Sequence, residues 1–238
     1  MPADLDVTRQ RDERISGQID RVQRLVTPVD GTTHRRIDDL RLLGRRPVAA
    51  GIFVIAVATA LMVGVFFLGS FYLQNHQGHG ALTTGVLFLP VALLTMAAAT
   101  AAGRVIGRLG ARSLAAVALL IAAAGFLVPV LWPGTTAVVV GVSVAAAGLG
   151  ALFVVASATA LGSVAPHEAG VASGIVSTFH EFGASAGAAT VSSAAAAGIA
   201  AHTGTQATSG FDDAFLVATG VAALSAVIAL WLVPPQNE

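Results

Sequence analysis

Apolar positions run through this chain in unbroken stretches, not in the stripes of a soluble helix or the alternation of a strand. From Pro47 to Gly103, and again from Ser113 to His167, no Asp, Glu, Lys or Arg occurs. A helix needs ~20 apolar residues to cross a hydrocarbon core of ~30 Å, so each window has room for two crossings. Backbone groups in lipid must bond internally, which leaves helices or a closed barrel. Runs such as AVVVGVSVAAAGLGALFVVA, from Ala137 to Ala156, lack the apolar/polar alternation of a barrel strand. The pattern therefore predicts an all-α integral membrane protein with six transmembrane helices. They fall at roughly Val48–Leu73, Leu82–Ala102, Ser113–Leu131, Ala137–Leu161, Gly170–Ala200 and Ala214–Val233. The stretches between them, NHQGHG, GRLGAR, WPGTT, SVAPHE and HTGTQATSGFDD, carry turn chemistry. Trp132 and Trp231 stand at span ends, where indole rings favour the headgroup layer. Pro90 and Pro129 interrupt the second and third spans and permit kinks there.

The remaining chain divides simply. Residues 1–46 form a polar cytosolic segment that reads as disordered, 47–234 the membrane bundle, and 235–238 a cytosolic tail. Ile15, Ile19, Val22 and Val26 recur at threes and fours, a spacing that a short surface helix would also give. No apolar stretch lies near Met1, so a cleavable signal peptide of ordinary form is not expected and the first span serves as the insertion signal.

Charge adds the orientation. All 13 basic residues are Arg, ten of them before the first span and the other three, Arg104, Arg108 and Arg112, between the second and third. Alternating helices place both groups on one face, and the loops of the other face hold neither Lys nor Arg. The positive-inside rule then assigns both termini to the cytoplasm. Composition agrees: 55% of residues are hydrophobic and 11% charged, with a mean hydropathy of +0.79, against about 25% charged in soluble domains. Cysteine is absent, so disulfides, thiol chemistry and Cys-ligated metals are excluded.

One charge interrupts the fifth span. Gly170, Gly174, Ser177, Glu181, Ser185, Ala188 and Ser192 recur at spacings of three and four, a single stripe of small and hydroxyl side chains holding one carboxyl. Glu181 lies about 20 Å along a straight helix from Glu168, at ~1.5 Å per residue. Such a group should face the protein interior or water, not lipid. Desolvation would raise its pKa and let it take and release a proton. A Glu satisfied by hydroxyls of a neighbouring helix, with no coupling role, fits the same pattern. His180 lies about 100° round the axis, on a second small-residue face with Ser173, Ala184 and Gly187. The pairs Gly170/Gly174 and Gly183/Gly187 have the GxxxG spacing that brings helix backbones together, and Gly148 and Gly150 are expected to do the same in the fourth span. The segment GRVIGRLGAR, containing Gly103, Arg104, Arg108, Gly110 and Arg112, reads as a tight cationic loop, either an anchor at the membrane surface or a conformational latch.

Other chemistries find no support. An intramembrane serine protease needs a Gly-x-Ser-Gly turn, and the nearest match, VASG, has Val171 in first place. No phosphate-binding loop occurs, and the arginines have no interleaved aromatics, so neither ATP hydrolysis nor nucleic-acid binding is expected. No metal site or cofactor is expected either.

Several stretches together resemble major facilitator superfamily transporters: DDLRLLGRRPVAAG, FFLGSFYLQ, TTGVLFLPVAL, GRVIGRLGAR, APHEAGVASGIVSTFHEFGASAG and GFDDAFLVATGVAAL. Their order resembles the last six helices of the fourteen-helix drug:proton antiporter branch. The resemblance implies half of a major facilitator fold, a six-helix half-bundle of 3+3 inverted repeats with substrate and proton sites at the midplane between two halves. It implies a transporter and not an enzyme: proton-coupled efflux of small hydrophobic or drug-like molecules by alternating access. Glu181, His180, Ser177 and Ser185 would line the pathway. The setting would be the plasma membrane, as a bacterial inner membrane. The partners would be the lipid bilayer, substrate and protons, and a second half-transporter chain or a homodimer. Family members have two halves, so a truncated, non-transporting remnant or a membrane interaction protein is the alternative. The family's loop motif runs Gly-x-x-x-Asp-Arg-x-Gly-x-Arg; Gly103, Arg108, Gly110 and Arg112 match it, and Gly107 stands where the acid would be.

Overall fold

Helix is the form every regular element takes in the computed structural model, which describes residues 46–162, 164–165, 168–201 and 209–234. The segment 1–45 and the tail 235–238, for which a cytosolic setting is expected, lie outside the described residues, as do parts of SVAPHE and HTGTQATSGFDD.

Helix α1 spans Arg46–Phe71 and continues as a π-helical turn, Tyr72–His76, which the amide of Gln77 closes by donating to the Tyr72 carbonyl at 3.1 Å. Helix α2 (Ala81–Leu87) and helix α3 (Leu89–Leu109) form the second span. The single span expected there is broken at Phe88, and Pro90 falls within the first turn of α3, where its missing amide leaves no helical bond unmade. Helices α4 (Ala111–Leu131), α5 (Thr135–Leu161), α6 (Ala169–Ala201) and α7 (Ser209–Leu232) complete the chain.

The loop expected from Gly103 to Arg112 is not a loop. Helix α3 runs through Arg104 and Arg108 to Leu109, helix α4 begins at Ala111, and Gly110 alone joins them. Its φ of 79° and ψ of 146° lie where a side chain is strained, so the corner requires glycine.

Among the described residues, five helical stretches are long and apolar enough to cross a membrane: Arg46–His76, Ala81–Leu109, Ala111–Leu131, Thr135–Leu161 and Phe211–Leu232. Helix α6 is the expected fifth span. It has 33 residues, about 50 Å at ~1.5 Å per residue, and His180 and Glu181 interrupt its apolar character part-way along.

Close packing joins α4 to α5, α3 to α5, α4 to α7, α1 to α6 and α1 to α5. Exchanging the first three spans for the last three turns the α1–α6 contact into the α5–α3 contact and leaves α4–α7 and α1–α5 unchanged. Each set of three spans is odd in number, so chains that cross at every span enter the two sets from opposite sides. This is the all-α half-bundle that the chain's pattern predicts, with α1 and α5 central.

Small residues set the helix separations. A side chain at Gly125 would strike the backbone of Ala145, and one at Gly148 the backbone of Ala118 and Ala122, so α4 and α5 touch backbone to backbone. Gly150 lies in the same way against Thr95 of α3. Gly141 receives the ring of Pro129, the proline inside α4. Around these contacts sit Leu119, Phe126, Leu149, Leu152 and Phe215, all fully enclosed. Large apolar side chains such as Leu93, Met96, Leu224 and Val227 point outward, the arrangement lipid favours and water penalises.

Candidate functional site

Helix α6 divides its residues between two faces. Val176, Phe179, His180, Gly183, Gly187 and Val191 are buried or half-buried, and α1 is the helix α6 packs on most closely. Gly183 and Gly187 rest on the backbones of Ala56 and Ala60, so two small residues four apart on one helix meet two on the other. Gly170 and Gly174 have the same spacing, but nothing stands within 4 Å of where their side chains would project. The close-packing role expected of that pair finds no partner among the described residues.

His180 is fixed on the packed side. Its Nδ1 lies 2.9 Å from Thr59 Oγ1, which in turn donates to the Ile55 carbonyl at 2.8 Å. A threonine hydroxyl has one proton. With that proton on the Ile55 carbonyl, Thr59 accepts from His180, so Nδ1 carries a hydrogen. The imidazole also lies 5.9 Å from the Phe153 ring of α5, centroid to centroid. His180 therefore ties α6 to both central helices. Thr59 and Phe153 escape sequence reasoning because neither sits in a motif and each contacts His180 from another span.

The other face is open. Gly170, Gly174, Ser177, Glu181, Ser185 and Ser192 are exposed along α6, and Ala188 of the same stripe is half-buried. Ser185 Oγ donates to the Glu181 backbone carbonyl at 2.9 Å, which occupies its proton and leaves its lone pairs facing outward. The Glu181 carboxyl is the single charge from Ala169 to Phe211. His180 and Glu181, adjacent in sequence, are thus separated in space: the imidazole is bonded into the bundle and the carboxyl is presented on its surface.

The cationic residues lie at one end of the bundle. Arg104 and Arg108 are exposed on the last turns of α3, and Arg112 is half-buried in the first turn of α4. Gly103 and Gly107 have open space where a side chain would stand, so nothing in the packing demands glycine there.

The family model described as Major Facilitator Superfamily matches residues 7–188. The chain belongs to this superfamily. Its relatives include Puromycin resistance protein pur8 of Streptomyces alboniger, 32% identical over 225 residues that cover 86% of this chain and 45% of that protein. Multidrug resistance protein Stp of Mycobacterium tuberculosis is 28% identical over 165 residues, 68% of this chain and 31% of that protein. The chain thus spans less than half the length of these relatives. With its apolar helices, superfamily membership makes it a multi-pass membrane protein.

Proposed function

We propose that this chain is one half-bundle of a drug-efflux transporter. It exports small hydrophobic or drug-like molecules against a proton gradient by alternating access, and the second half is supplied by another copy or a separate half. The names of the relatives support the substrate class. The observation that carries the mechanism is the open strip of α6. A carboxylate facing lipid at mid-bilayer would cost about 2.5–3.5 kcal/mol on insertion scales, and the flanking Ser177 and Ser185 are also exposed. A surface of this kind fits a water-filled path between two half-bundles. In this reading Glu181 takes and releases the proton, Ser177 and Ser185 line the path, and His180 holds the helix that carries them. The bacterial relatives support an inner-membrane setting, and the distribution of arginine supports cytoplasmic termini.

Proteoliposomes with an imposed pH gradient test this by dye efflux. Wild type should export dye only with the gradient, and Glu181→Gln should remove the pH dependence. Full pH-dependent export by Glu181→Gln would remove the coupling role from Glu181. A chain that is monomeric in detergent and exports nothing would favour a non-transporting membrane protein instead.

A further inference from the structure

At the end of the bundle that carries the arginines, a cup of about 840 Å³ opens between α1, α3, α4, α5 and α7. Arg46 and Arg112 line it, together with Thr159 and an apolar wall that includes Ala158 and Leu232. Among the described residues no carboxylate pairs with either guanidinium. Arg112 also sits in the first turn of α4, where helix amides without helical partners add positive potential.

The position narrows the chemistry. Trp231 lines the same cup and is 81% exposed, and an exposed indole at a span end marks the depth of the lipid headgroups. A basic pocket between membrane helices at that depth suits the head of an anionic lipid.

We propose that this cup binds the phosphate of an anionic phospholipid. Arg46 and Arg112 supply charge-assisted hydrogen bonds, and the apolar wall receives the start of the acyl chains. The site is separate from the strip on α6, and the proposal stands whether or not the chain transports.

Native mass spectrometry of the full chain, released from nanodiscs of phosphatidylcholine with one-fifth phosphatidylglycerol, tests it. Wild type should keep one phosphatidylglycerol selectively. The double variant Arg46→Gln/Arg112→Gln should lower its retention at least about tenfold. Arg104→Gln/Arg108→Gln removes the same charge from exposed positions and should leave retention unchanged. Equal loss in both double variants would reduce the effect to surface charge and overturn the site. So would wild-type retention no higher than that of phosphatidylcholine. Inorganic phosphate at 10 mM should not displace the lipid; displacement would assign the cup to a soluble phosphate and overturn the lipid as its source. Circular dichroism of each variant confirms that the helices are intact.

Discussion

His180 Nδ1 lies 2.9 Å from Thr59 Oγ1, a hydrogen bond between residues 121 positions apart that joins α6 to α1. Thr59 is only 4% exposed, so the bond is made away from solvent. Replacing Thr59 by Val keeps the shape and removes the acceptor. The expected loss is about 1–2 kcal/mol of stability, read as a lower unfolding temperature in detergent, with Thr59→Ser close to wild type. Nitrogen NMR of labelled His180 should show the hydrogen on Nδ1 in the wild type and a tautomer mixture in Thr59→Val. A mixture already present in the wild type would break the assignment.

Gly183 and Gly174 should respond in opposite directions to the same change. Alanine at 183 meets the Ala56 backbone and should destabilise by about 1–3 kcal/mol, the usual range for overpacking. Alanine at 174 enters open space and should be neutral or stabilising by about 0.5–1 kcal/mol, because glycine is a poor helix former. Thermal unfolding of the two variants decides it, and equal destabilisation would place α6 wrongly.

The chain contains no cysteine, so single thiols report cleanly. If the open strip of α6 faces water, cysteine at Ser177 or Ser185 should react with a membrane-impermeant maleimide at least about tenfold faster than cysteine at Leu93 or Leu224. Those leucines are 60% and 63% exposed but lie on purely apolar surfaces, and a lipid-covered thiol stays protonated and unreactive. Uniformly slow labelling at all four positions would put the strip in lipid and remove the water path.

Gly110 should tolerate no side chain. With φ at 79°, Gly110→Ala is expected to cost about 1–3 kcal/mol. Gly103→Ala and Gly107→Ala, with ordinary helical backbone and open space, should cost nothing or stabilise. Equal effects at all three positions would mean that the corner lies elsewhere.

These residues also mark where sequence reading reaches and where it stops. Helix positions were legible because apolar runs and charge gaps are local properties of the chain. The break at Phe88 and the one-residue corner at Gly110 were not, since neither changes the hydropathy pattern that defines a span. The two GxxxG pairs of α6 look alike in sequence, but the motif specifies only that a backbone can be approached. Whether α1 passes there depends on the other helices. The stripe of Ser177, Glu181 and Ser185 was visible from its periodicity. The fixing of His180 was not, because its partner Thr59 lies in another span and bears no signal of its own.

The corner at Gly110 has a consequence for the arginines around it. Arg104 and Arg108 ride on a helix, so their spacing along its axis is set by the helical rise at about 6 Å. Arg112 follows at once on the returning helix. Residues on a flexible tether would drift among the lipid heads, whereas these are held on helices, Arg108 and Arg112 each two residues from the corner and Arg104 about one turn further in. Inserting one uncharged residue between Arg108 and Gly110 would turn Arg104 and Arg108 about 100° round the helix relative to Arg112 without changing the charge.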